Sequence, residues 1–206
     1  VQICGLLIFG SSATALDKAN AEKYFESTIT AINNTLQERH AEFQKYPSKL
    51  VSYVDRQLIP LWASDKTMRG LLSKKHWKEL TSEQQIDLSK VFDDTLQRYV
   101  QEGFKSYDGQ EIEFVKLKLH PKKPRGLLTV KVIPNLLPSF HIHLKVEHKE
   151  EKWRIYDVMV QGVSYISLKK EGIRNTFRKG GINLVLNEFT SKNRGFIPSS
   201  AGLAKK

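Results

Sequence analysis

The sequence predicts an α+β fold: N-terminal helices, then a four-stranded antiparallel sheet, then C-terminal helices, a layout that can form a cone with an internal hydrophobic cavity. Three observations predict it. Apolar residues recur with a helical period up to Tyr107. Beyond Gly109 the period falls to about two and β-branched and aromatic residues become dense. After Gly162 the helical period returns. A switch from 3.6 to 2 and back separates helices from strands on physical grounds, because each period puts its apolar residues on one face of the corresponding element.

Taken in order, Ala21, Tyr24, Phe25, Thr28, Ile29, Ile32, Leu36 and Phe43 form the stripe of a first helix, which Pro47 ends. Leu50, Val51, Val54, Leu58, Ile59 and Leu61 repeat the pattern from Ser48 to Ala63, and Pro60 must kink or stop that helix because it lacks an N–H. A short helix is expected over Lys66 to His76. Thr81-Ser82-Glu83-Gln84 has the form of a helix cap, and Leu88, Val91, Phe92, Leu96, Tyr99, Val100 and Phe104 continue the stripe behind it.

Strands are expected over Ile112 to Leu119, Leu127 to Ile133, Phe140 to Val146 and Trp153 to Val160, separated by turns rich in Pro, Gly and Lys. In the third, Phe140, Ile142, Leu144 and Val146 share one face and His141, His143, Lys145 and Glu147 the other, so the sheet needs helices on one side only. Trp153 and Ile155 differ in parity from Val158 and Val160, which predicts a bulge near Tyr156 and Asp157. A last helical region over Val163 to Thr190 is interrupted at Gly172 and at Gly180-Gly181.

The 206 residues fit one domain. Residues 1–15, VQICGLLIFGSSATA, run from apolar to small residues without a charge before Asp17, the pattern of a signal-peptide remnant. Residues 16–192 are the expected domain and residues 193–206 a flexible tail. The single cysteine, Cys4, lies in the signal-like segment, so the domain holds no thiol. The residues before Cys4 lack the small side chain that lipoprotein processing needs, and export to the periplasm as a free protein is expected. With 40% hydrophobic and 27% charged residues, and no apolar run of the roughly 18 residues that a span needs, no stable membrane insertion is expected. The net charge of +11 suits anionic partners, but an exported chain rarely meets nucleic acid, so none is expected.

Catalytic signatures are missing: HExxH, GxSxG, a Walker loop, GxGxxG and CxxC do not occur. His141 and His143 could give two metal ligands, but nothing in the sequence completes a site, and solvated histidines are expected. The helix and sheet layout resembles the cone-shaped folds of the nuclear transport factor family, which host enzymes or bind apolar ligands. An enzyme there would use Asp157, set in an otherwise apolar strand; its alternative role is to cap neighbouring backbone. A binding adaptor with a filled core is the other alternative.

Tyr156-Asp157-Val158-Met159-Val160-Gln161-Gly162-Val163-Ser164, followed by Arg174 and Phe177, resembles the YDV-x-x-x-GVS signature of the MlaC family, the phospholipid-binding component of a lipid-asymmetry and toluene-tolerance transport system. Val54-Asp55-x-x-Leu58-Ile59-Pro60 with Trp62 resembles that family's VD-x-x-L-x-P helix, and Leu80-Thr81-x-Glu83-Gln84 through Tyr107-Asp108-Gly109-Gln110 gives a third matching region. The very basic charge and His141-x-His143 are not features of the family pattern.

The resemblance implies a carrier without a cofactor or catalytic residues. Its ligand would be a glycerophospholipid with two acyl chains, a hopanoid-type lipid being the alternative. Its partners would be an outer-membrane lipoprotein-porin complex and an inner-membrane ABC transporter with a hexameric lipid-transfer subunit. The residues expected to line the lipid site are Leu58, Leu61, Trp62, Met68, Leu72, Phe92, Tyr99 and Phe104 from the helices. Val130, Val132, Phe140, Ile142, Leu144, Val158, Val160 and Val163 would line it from the sheet.

Overall fold

A computed structural model of the chain describes residues 17–196, so the signal-like segment and most of the expected tail lie outside the described residues. Helix α1 spans Lys18–Glu38, opened by Asp17, whose carboxylate accepts from the Ala19 and Asn20 amides at 2.9 and 3.3 Å. Short helices α2 (His40–Lys45) and α3 (Pro47–Tyr53) follow, with Pro47 in the first turn, where its missing N–H costs nothing. The next turns widen and then tighten: Val54–Leu58 is a π-helical turn and Ile59–Leu61 a 3₁₀ turn carrying Pro60. The proline therefore ends the helix through a change of pitch rather than a simple kink.

In place of one helix over Lys66 to His76 there are two, α4 (Ser64–Leu72) and α5 (Lys74–Glu79), divided by Ser73 at φ +95°. Helix α6 (Ser82–Phe104) starts at the expected capping box, with Thr81 and Gln84 exchanging bonds between side chain and backbone. Strands β1 (Glu111–Leu119), β2 (Arg125–Ile133), β3 (Phe140–Lys149) and β4 (Lys152–Val160) form an antiparallel meander. A fifth, two-residue strand β5 (Val163–Ser164) adds to its edge, where a helix start was expected. Gln161 and Gly162, both with positive φ, make that reversal tight enough for Val163 to pair with Val160.

The β4 bulge falls where parity placed it. Lys145 faces Asp157 and Val146 faces Ile155, leaving Tyr156 as the extra residue. Helix α7 (Tyr165–Asn193) breaks at Gly180-Gly181, with Gly181 at φ +64°, whereas Gly172 continues the helix without a break. It reaches Asn193, where the tail was expected to begin; the Asn193 amide donates to the Val91 carbonyl on α6 at 3.1 Å.

Among the described residues, three apolar clusters hold this together. One joins α4, α6 and α7 through Met68, Leu72, Leu88, Phe92, Val185 and Phe189. A second packs Ala21 and Phe25 of α1 on Leu117, Leu128, Val130, Val146 and Trp153 of the sheet. The third gathers Phe43, Leu50, Tyr53 and Val54 against Leu58 and Phe104. Of these, the second uses the inner face of the sheet, and α1 is the helix that lies across the cavity on that face.

Candidate functional site, an apolar cavity under the first helix

Between α1 and the inner face of the sheet lies a cavity of about 230 Å³. Tyr24, Phe25, Thr28, Ile29 and Ile32 line it from α1, at the helical spacing that keeps one face toward the sheet. Leu61 closes one side from the 3₁₀ turn. Ile112, Leu128, Val130, Val132, Ile142, Leu144, Trp153, Ile155 and Val158 supply the floor. The strand register explains this floor: Ile112, Val132 and Phe140 are directly paired, as are Val130 and Ile142, and Leu144 and Val158, so all project to the same face. Among the lining residues only Tyr24, Thr28 and Trp153 carry a polar side-chain atom, and none carries a carboxyl or an imidazole.

The cavity shares Thr28, Ile32 and Leu61 with a more open cleft of about 460 Å³, which adds the polar residues Thr35, Arg39, Tyr53 and Gln57. This cleft lies along the C-terminal half of α1. There Asn33 clamps the helix to β1, its amide donating to the Ile112 carbonyl at 2.7 Å and its carbonyl accepting from the Ile112 amide at 3.2 Å. Arg39 is held at the cleft edge by Glu42 at 2.7 Å and lies over the Phe43 ring at 4.5 Å.

Of the residues expected at a lipid site, Leu61, Val130, Val132, Ile142, Leu144 and Val158 are brought together around the cavity. Phe140, Val160 and Val163 share its face but lie beyond it, 42%, 41% and 55% exposed. The others are placed elsewhere. Met68, Leu72 and Phe92 fill the α4, α6 and α7 cluster with Trp62 packed on it, and Leu58 and Phe104 belong to the third cluster. Tyr99 lines a separate cleft of about 410 Å³ with Arg98, Tyr165, Lys169 and Lys192, where burial pushes the Tyr165 phenol far up. The physical reason is that α6 turns its stripe toward α4 and α7, not toward the sheet. The whole contribution of α1 was missed as lining, although its stripe was legible; what periodicity does not give is which element a stripe faces.

The two motif carboxylates act in the frame. Asp157, 1% exposed, accepts from the Lys145 ammonium at 2.7 Å, the Ser164 hydroxyl at 2.6 Å and the Ile166 amide at 3.1 Å. Every element of the β4–β5–α7 junction thus converges on one side chain, and Asp157 is the backbone cap rather than a cavity carboxylate. Asp55 accepts from the Gln97 amide at 2.7 Å, and the same amide donates to the Val51 carbonyl at 2.9 Å, fixing the π-helical turn to α6. His143 bonds the Thr129 hydroxyl at 3.0 Å on the outer face of the sheet.

Helices laid over one face of a curved antiparallel meander, with an apolar cavity beneath the first of them, define a cone-shaped α+β protein. The family model described as MlaC protein matches residues 26–191, and the chain belongs to that family. Among curated relatives, the toluene tolerance protein ttg2D of Pseudomonas putida is 20% identical over 159 residues, which covers 77% of this chain and 74% of that protein. Among solved structures, one described as the phospholipid-binding protein from Ralstonia solanacearum in complex with a phospholipid superimposes with a TM-score of 0.66 at 18% identity. It covers 91% of this chain and 98% of that chain, and shows that the fold is shared.

Proposed function

We propose that this chain is a periplasmic phospholipid carrier that shelters acyl chains between α1 and the sheet and performs no catalysis. The observation that carries the reading is the nearly unbroken apolar lining of a cavity that opens into a polar-edged cleft. Acyl chains gain ~0.8 kcal/mol per methylene on leaving water, so two chains of ~16 carbons represent on the order of 25 kcal/mol of gross transfer free energy. Unassisted release into water would be very slow, and unloading calls for a partner that continues the apolar path. Membership in the MlaC family and the phospholipid in the Ralstonia protein support a glycerophospholipid as cargo.

The same relationship supports a shuttle between an outer-membrane lipoprotein-porin complex and an inner-membrane ABC transporter with a hexameric lipid-transfer subunit, preserving outer-membrane lipid asymmetry. At about 230 Å³ the cavity lies below the ~300–1,000 Å³ typical of ligand pockets. Loading therefore takes outward movement of α1, with the Asn33 clamp as the fixed end. Native mass spectrometry of the exported chain, followed by organic extraction, tests the reading. A near-stoichiometric phospholipid is the expected result; a ligand-free chain that refuses lipid would overturn it.

A further inference from the structure

The β2–β3 connection exposes two adjacent leucines at its tip, Leu136 at 92% and Leu137 at 71%, between Pro134 and Pro138. From Ile133 to Phe140 no residue is charged. The tip is tethered at its base, where the Asn135 amide donates to the Asp108 carbonyl at 2.7 Å, while neither leucine belongs to a core cluster. Phe140 follows the tip in the chain, and the register joins it, Val160 and Val163 to the cavity floor: Phe140 pairs with Val132, and Val160 pairs with both Ile142 and Val163. An apolar strip thus runs from the cavity, over its rim, to a protruding hydrophobic tip. Scattered exposed apolar residues need no explanation, but a contiguous strip of this kind marks a contact surface.

We propose that this tip is a docking wedge for an anionic phospholipid bilayer, with Leu136 and Leu137 entering the interfacial layer and the strip giving lipid a path to the cavity that avoids water. The choice of a bilayer rests on the carrier reading. Three features favour it over a protein partner. The tip is convex and uncharged, so it presents no groove and no ion-pairing group. The flanking prolines lack N–H groups, so the connection has few free donors to pair with an added strand. The chain carries a net charge of +11, which draws it to anionic lipid at long range before the leucines engage. Docking is peripheral, since no helix among the described residues is long and apolar enough to cross a membrane.

Flotation of the full chain with vesicles of phosphatidylcholine alone, and of phosphatidylcholine with one-quarter phosphatidylglycerol, tests this at low salt. The wild-type chain floats with the anionic vesicles, and the double variant Leu136→Asp, Leu137→Asp binds at least tenfold more weakly; the milder Leu136→Ser, Leu137→Ser serves if the first does not fold. Equal binding by a folded double variant would show that net charge alone drives adsorption and would overturn the wedge. Failure of the wild-type chain to float would also overturn it, and would leave a protein partner as the occupant. Lipid occupancy, read separately by native mass spectrometry, distinguishes the two readings. A lipid-loaded chain that does not float sinks the docking surface alone, and a floating chain that never holds lipid sinks the carrier alone.

Discussion

Asp157 shows how much of the frame can hang on one side chain. Its carboxylate accepts from Lys145, from the Ser164 hydroxyl and from the Ile166 amide while almost wholly buried. Asp157→Ala strands the last two donors, and a loss of about 2–3 kcal/mol follows from the usual cost of orphaned buried polar groups, measurable by urea denaturation. A loss below ~0.5 kcal/mol would show that water replaces the carboxylate. Asp93 behaves differently. Burial, opposed by the Ser64 hydroxyl and aided by the neighbouring Asp94 and Asp55 carboxylates, raises its pKa from the ordinary 3.8 to about 6. In the window between these values the folded chain holds a proton that the unfolded chain has released, so stability falls as pH rises from about 4 to 6 and stays reduced above. The Asp93→Asn variant should flatten that slope, a change on the order of 3 kcal/mol across the window. An unchanged pH profile of thermal unfolding in the variant would place the titration elsewhere.

At the scale of elements, α1 is the piece whose attachment governs access. Its N-terminal half rests on the sheet through Ala21 and Phe25, and Asn33 bonds the backbone of Ile112. Removing those two bonds by Asn33→Ala should raise opening of α1 about tenfold, taking ~1.4 kcal/mol for the pair. Hydrogen exchange along Ile29 to Leu36 would read this directly, with α6 as the unaffected reference; acceleration in both helices would mean global destabilisation instead. The π-helical turn is the counterpart on the side that Leu61 closes. Val54–Leu58 is held by Gln97 through Val51 and Asp55, and it delivers Leu61 to the cavity.

The cavity itself belongs to the whole molecule, because its lining comes from α1, the 3₁₀ turn and strands β1 to β4. Filling it should remove ligand without unfolding the chain. Ile142→Trp, at the centre of the floor, is expected to lower lipid occupancy at a cost of ~1–3 kcal/mol in stability, whereas Val160→Trp, at an exposed rim position, should leave occupancy near normal. Native mass spectrometry of both variants checks the pair, and full occupancy in Ile142→Trp would move the ligand out of this cavity. The sequence by itself determined the α+β class, the order of helices, then sheet, then helix, the capping box at Thr81, the inner face of β3 and the β4 bulge. All of these follow from local propensity or from periods of two and 3.6, which a linear chain displays. It also carried the motifs that identify the family and offered backbone capping as a role for Asp157, although the role of Asp55 was not readable there. Only the tertiary structure decided that α1 rather than α6 covers the sheet, so that Tyr24, Phe25 and Ile29 line the cavity while Met68, Leu72 and Phe92 close a separate core. An apolar stripe specifies that a face is buried, not against what; the partner is chosen by how helices, sheet and turns pack at once, and that choice is non-local.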